Sequence, residues 1–186
     1  MPYIIVSPLS RLAETVVAHG VREMVSLIGR NHEFHRPAVI DERRHLLVDV
    51  NDIAAEAKGL ILAQEHHVDR LFRFAQGWDR RAPLVVHCWM GISRSPAAAL
   101  LVALALNPEQ DEDLLARRLR AASPFATPNA RLIEIGDGML GRDGRLIRAV
   151  RAIGRGADAY EGLPFTLTLK PEDPMPAPSL PAAADG

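Results

Sequence analysis

The chain has one cysteine, Cys88. An internal disulfide is therefore excluded, and so is a zinc site built from several thiolates; a lone thiol fits a reducing compartment. Lysine is nearly missing, with Lys58 and Lys170 alone among many arginines. Acidic residues balance the arginines to a formal net charge of -1 at pH 7, which gives no reason to expect nucleic acid or an anionic membrane as a partner. No apolar run is long enough to span a bilayer; the longest candidate, Pro96 to Leu106, falls short. The opening MPYIIVSPLSRLAE lacks a basic stretch followed by a long apolar run, so no signal peptide is expected and a cytoplasmic location is.

What remains is an ordinary globular composition: 48% hydrophobic and 24% charged over 186 residues, enough for one domain with a core of normal size. Short β-branched runs alternate with helical patterns. YIIVS (residues 3–7), EMVSLIG, HLLVDVND and APLVVHC read as strands. SPLSRLAETVVAHG reads as a helix with Ser7 as cap, Pro8 in its first turn and Gly20 at its end. AQEHHVDRLFRFAQGWD has helical spacing, and SPAAALLVALAL is apolar nearly all round, as a buried helix would be. Three more helices are expected in DEDLLARRLRAAS, with Asp111 as cap, in TPNARLIEIGDGMLG and in RDGRLIRAVRAIGRG. LPFTLTL is a late strand or an extended arm, and RNHEFHRPAVID is a loop. The expected fold is α/β: a single domain over 1–169 with a central, mainly parallel sheet of four to five strands flanked by helices. Residues 170–186, rich in Pro and Ala, are expected to form a disordered tail. In such sheets ligands bind beyond the carboxyl ends of the strands, where Cys88 and Asp52 both fall.

Around the cysteine the order is His87, Cys88, five residues (Trp89, Met90, Gly91, Ile92, Ser93), then Arg94 and Ser95. A loop of this length between strand and helix can curl its backbone N–H groups inward and bind a tetrahedral anion. Gly91 permits the bend, and Arg94 can grip two oxygens with its fork. The same positive field favours the thiolate of Cys88, so nucleophile, anion cradle and charge clamp coincide. Given the cysteine, finding this His, Gly, Arg and Ser at these offsets by chance has a probability of about 10⁻⁴ at ordinary residue usage. Ser95 can donate a hydrogen bond to the sulfur; its plain alternative is a residue of the first helical turn. His87 is expected to orient the loop or tune the thiolate rather than to transfer a proton.

VVHCWMGISRS resembles the signature loop of the cysteine-dependent protein tyrosine phosphatase superfamily, in the style of its compact dual-specificity branch and of small Arg-rich bacterial tyrosine phosphatases. The likeness extends more weakly from about Tyr3 to Gly141, through strand order and TPNARL. It implies phosphomonoester hydrolysis through a phosphocysteine on Cys88, with no cofactor and no metal, on a phosphorylated protein or a small phosphate ester. It also implies a general acid on a loop some 30 to 40 residues before the cysteine. Asp52 and Asp49 lie in that window. Alternation along the strand puts Leu46, Val48 and Val50 on one face and Leu47 and Asp49 on the other. Asp52 lies past the strand end, where a loop can swing over the cradle, and is the favoured acid; its plain alternative is a helix cap for a segment starting at Ile53 or Ala54.

Other signals are weaker. His32 and His35 lack a third ligand at a convincing spacing, so a surface loop near the site mouth is favoured over a metal. Asn129 is read first as a helix cap and second, through the resemblance, as a brace for the phosphate loop. Trp89 either walls the pocket or packs beneath it. Lipid-directed relatives carry lysines in this loop, and here there are none. A tyrosine or dual-specificity substrate is the family default. The alternatives are a phosphate-binding module without turnover, a phosphatase for a non-protein ester, and sulfur transfer or arsenate reduction.

Overall fold

The computed structural model describes residues 2–29, 32 and 34–173. The expected tail therefore lies, from residue 174 on, outside the described residues. Five strands form one sheet in the order β3-β2-β4-β1-β5: β1 Tyr3–Pro8, β2 Glu23–Leu27, β3 His45–Val48, β4 Leu84–Cys88 and β5 Phe165–Thr168. The first four run parallel, and β5 adds antiparallel to the outer side of β1. LPFTLTL is thus a true edge strand, and β4, which ends in Cys88, is central.

The helices are α1 Leu12–Ala18, α2 Glu65–Gly77, α3 Arg94–Leu106, α4 Glu112–Ala122, α5 Ala130–Met139 and α6 Arg145–Ala152. Strand alternation divides the core between the two faces. Ile4, Val6, Val25, Leu27, Leu46, Val48, Leu84 and Val86 join the large cluster under α2–α6. Ile5, Met24 and Val85 join Leu12 and Val16 of α1 in a small cluster on the other face. Helix α3 lies between the sheet and α2, α4 and α5, which is why it is apolar all round: Ala97 to Leu104 are fully buried. Its contact with α5 depends on Gly136, where a Cβ would overlap the Leu101 side chain. No helix among the described residues is long and apolar enough to cross a membrane.

The expected caps at Asp111 and Asn129 are present: each accepts from the backbone N–H three residues on, at 2.7 Å (Leu114) and 3.0 Å (Leu132). The first helix starts later than the sequence pattern suggests. Ser7 and Pro8 belong to β1, paired with His87 and Cys88, and α1 begins only after a 3-10 turn over Leu9–Arg11. Strand β5 pairs with β1 only as far as Val6, so a proline with no N–H is tolerated beyond it. The Ser7 hydroxyl turns inward to the Pro8 carbonyl (2.9 Å) and Thr15 Oγ1 (3.3 Å) instead of capping a helix. No helix follows Asp52: residues 49–64 are irregular up to α2.

Candidate active site

Strand β4 carries Cys88 to its carboxyl end, and α3 begins at Arg94, with the five-residue loop between them. Four carbonyls of this loop point outward, each to a backbone N–H from outside the loop, in three separate segments of the chain. Leu9 donates to Trp89 (3.1 Å), Gly162 to Met90 (2.9 Å), Thr127 to Ile92 (2.8 Å) and Asn129 to Ser93 (3.1 Å). All peptide bonds here are trans, and in a planar trans peptide the C=O and the following N–H point in opposite directions. The N–H groups of Met90, Gly91, Ser93 and Arg94 are thereby turned to the inside of the loop. Such a concave set of amides at a helix start is an anion-binding nest. Gly91 has φ of +70°, and a Cβ there would stand 2.7 Å from the Pro8 nitrogen, so both conformation and space call for glycine.

Cys88 Sγ is buried and lies 3.1 Å from Ser95 Oγ, itself buried in the first turn of α3. Arg94 folds back from the same turn. Its Nη1 donates to the Val50 carbonyl at 2.9 Å, and its buried Nε makes no hydrogen bond within the protein, the nearest Asp52 oxygen being 4.0 Å away. Asp52 sits over the loop as a half-exposed carboxylate, 41% accessible. Its Oδ1 accepts from Ser93 Oγ at 2.6 Å and from Asn129 Nδ2 at 2.9 Å. Asp49, just past the end of β3, acts electrostatically on His67 of α2. Asn129 therefore has both roles considered from the sequence, cap of α5 and brace of the loop.

His87 is fully buried. Its Nε2 lies 2.6 Å from Ser26 Oγ, which in turn lies 2.8 Å from His45 Nε2. Burial above all pushes the His87 imidazole down to about 3 and that of His45 down to about 4, so both rings are neutral at pH 7. The Cys88 backbone opposes this effect at His87, whose buried Nδ1 has no hydrogen-bond partner within the protein. The stronger burial effect decides the charge state. Trp89 is 39% exposed, with its ring against that of His32 (centroids 4.5 Å apart), so it is not packed beneath the loop. His32 thus stands beside the loop.

Several contributors had no local sequence signal. Asn51 closes the neck of the excursion that carries Asp52: its N–H donates to the Ile61 carbonyl (2.9 Å), and its Oδ1 accepts from the Ile61 N–H (2.8 Å). Leu9, Thr127 and Gly162 act through backbone amides, which no side-chain pattern reveals. Ser26 and His45 are remote in sequence from the loop they approach.

No protein-family model matches the chain. No curated protein matches it either. Solved structures do. The PTP-2 phosphatase of Cydia pomonella aligns with a TM-score of 0.57 at 19% identity, covering 73% of this chain and 84% of that one. Human DUSP28 aligns with a TM-score of 0.54 at 20% identity, covering 75% and 94%. DUSP15 aligns with a TM-score of 0.55 at 15% identity, covering 82% and 91%. At these identities the likeness is one of fold, and the fold is that of the tyrosine and dual-specificity phosphatases.

Proposed function

We propose that the chain hydrolyses phosphate monoesters through a phosphocysteine intermediate on Cys88. The observation that carries this reading is the bracing of the loop. Four outward carbonyls turn four amides toward one point, beside a thiol and a guanidinium whose Nε has no hydrogen bond in the protein. A buried donor without an acceptor is costly, and a phosphate oxygen is the acceptor this one suits.

The reaction then runs in two displacements. The Cys88 thiolate attacks phosphorus, the phosphorus–oxygen bond to the leaving group breaks, and Asp52 gives its proton to the departing oxygen. Asp52 Oδ1 is occupied by Ser93 and Asn129, which leaves Oδ2 to carry that proton. Water next attacks the phosphocysteine, Asp52 takes up the proton of that water, and the phosphorus–sulfur bond breaks. Ser95 stabilises the returning thiolate by a hydrogen bond from Oγ. Arg94 and the loop amides hold the equatorial oxygens throughout, and His87 orients the loop from below. Trp89, Met90, Gly91, Ile92 and Ser93 form the cradle itself.

A phosphorylated protein, on tyrosine or with dual specificity, is the substrate class the fold neighbours support; a small phosphate ester is the alternative. The domain is taken as 1–169. Hydrolysis of p-nitrophenyl phosphate tests the reading: it should persist in excess chelator and vanish in Cys88→Ser. Sustained turnover by Cys88→Ser would falsify the nucleophile assignment.

A further inference from the structure

The two tryptophans of the chain are placed very differently. Trp78 is buried in the core, 3% exposed, whereas Trp89, the residue after Cys88, leaves 39% of its surface open. The Trp89 ring lies against that of His32, at a centroid separation of 4.5 Å and an interplanar angle of 35°. His32 is exposed as well. Neither ring belongs to a core cluster. The proposed hydrolysis uses the Trp89 backbone and leaves both rings without a task.

We infer that Trp89 and His32 are specificity-determining residues: the indole, backed by the imidazole, stacks on the ring of an aryl phosphate, so that phenolic esters such as phosphotyrosine are preferred to alkyl esters. This rests on the reading of residues 88–94 as a phosphate cradle.

Sheet order places the pair at the site. Strand β2 lies between β3 and β4. Ser26 of β2 pairs with His87 of β4, so the chain leaving β2 comes up beside the first residues of the loop. His32 is held there by its N–H, which donates to the Gly29 carbonyl at 3.1 Å. Gly29 in turn lies against the neck of the excursion that carries Asp52: a Cβ on Gly29 would stand 2.6 Å from Asn51 Nδ2. The exit of β2 thus occupies the rim between the segment of Asp52 and Trp89. A leaving group whose oxygen takes its proton from Asp52 emerges from the cradle beside this rim.

An open indole at this place discriminates by shape. Aromatic rings attract one another in offset or tilted stacks at separations of about 4.5–7 Å, beyond what burial of their area contributes. The His32 contact already has that geometry and covers one part of the indole; the part left open suits a second ring. Tryptophan has only two side-chain torsions to fix, and a neighbour that holds the ring in advance lowers the entropy lost on binding. An alkyl ester fills the same cradle with its phosphate but brings no ring to the indole.

Phenylphosphonate and methylphosphonate, which are not hydrolysed, separate the ring from the phosphate. The full chain should bind phenylphosphonate about two- to tenfold more tightly than methylphosphonate, the worth of one aromatic pair. Trp89→Leu should abolish that preference and the accompanying change in tryptophan emission, and Trp89→Phe, which keeps a ring, should restore most of the preference. The kcat/KM for phenyl phosphate should fall in Trp89→Leu by about the same factor. If Trp89→Leu does not fold, His32→Ala against His32→Phe makes the comparison, since phenylalanine keeps a ring behind the indole. Equal affinity of the native chain for the two phosphonates overturns the proposal. So does a preference that survives in a folded Trp89→Leu protein, or an equal weakening of both ligands there, which would be an effect on the loop alone. Phenyl phosphate turnover lost in Cys88→Ser would in those cases leave the hydrolase reading standing. A Trp89-dependent preference for phenylphosphonate without turnover of any aryl phosphate would sink the hydrolase reading and leave the aromatic assignment in place.

Discussion

Asn129 holds Asp52 with one end of its amide and caps α5 with the other. Nδ2 donates to Asp52 Oδ1 at 2.9 Å, and Oδ1 accepts from the Leu132 N–H at 3.0 Å. The loop that carries Asp52 is thereby tied to the first turn of a helix 77 residues away, and the same residue's backbone N–H braces Ser93.

The two ends of this amide are separable. Asn129→Asp keeps an N-cap acceptor but sets a second carboxylate against Asp52. Its unfolding midpoint in urea should stay near that of the native chain while turnover of an aryl phosphate falls by about tenfold or more, one hydrogen bond having become a repulsion. Asn129→Ala should lose turnover and about 1 kcal/mol of stability together. Equal activity in the native and Asn129→Asp proteins would remove Asn129 from the site.

Asp52→Asn should lower turnover of a poor leaving group, such as an alkyl or phenyl phosphate, by about 10²–10⁴-fold, the usual worth of a general acid. An activated ester such as p-nitrophenyl phosphate should suffer less, because its leaving group needs a proton less. Asp49→Asn should leave both rates nearly unchanged, since Asp49 acts on His67 of α2 whereas Asp52 is bonded to Ser93 of the loop. Steady-state kinetics on the two substrates checks this; the reverse pattern would make Asp49 the acid.

Gly91→Ala places a methyl group 2.7 Å from the Pro8 nitrogen at a residue with φ of +70°. Backbone cannot yield as a side-chain tip can, so a cost of about 2 kcal/mol or more is expected from conformation and overlap together. Chemical unfolding measures it. Inorganic phosphate should also bind more weakly, because relief of the clash moves the Gly91 and Met90 amides. A Gly91→Ala protein of native stability and phosphate affinity would contradict this account of the loop.

His87 and His45 are held neutral by burial, at about 3 and about 4. An unfolded histidine titrates near 6.5, so between these values the unfolded chain binds protons that the folded chain refuses. The stabilising effect is therefore complete above about pH 6.5 and is lost as pH falls toward the folded-state values. His87 contributes a slope of up to about 1.4 kcal/mol per pH unit in that window; His45, partly in water, contributes less. His19 and His67, also lowered by burial, act in the same sense. The urea midpoint should fall from pH 7 to pH 5, before most carboxylates titrate, and the fall should be smaller in His45→Gln. A midpoint that rises on acidification would mean that the rings gain protons on folding.

Much of the strand–loop–helix arrangement of the candidate site was legible along the chain. The His87-to-Ser95 spacing, the strand before it and the helix after it mark a strand–loop–helix cradle, because such a loop is built from neighbours. The alternation read over Leu46 to Val50 stops sooner than expected, because β3 ends at Val48 and the Val50 N–H turns back to the Val48 carbonyl at 3.1 Å, which leaves Asp49 outside the strand. The uninterrupted apolar character of residues 97–104 announces a helix with no free side. The start of α1 is not legible, because Ser-Pro is a helix-start signal and no local pattern says that β5 stops short of Pro8 and leaves that proline an unpaired side.

Periodicity and composition record how much of each side chain is buried, and that is a property of the local chain. Hydrogen-bond partners are not. The amides that turn the loop inside out come from Leu9, Thr127, Asn129 and Gly162; the brace on Asp52 comes from Asn129; Ser26 and His45 reach His87 only because β4 inserts between β2 and β1. These pairings depend on sheet order and helix placement, which bring distant segments within about 3 Å of one another, the length of a hydrogen bond. The proposed nucleophile and clamp can accordingly be named from one short run of consecutive residues, whereas the direction of each amide follows from the assembled fold.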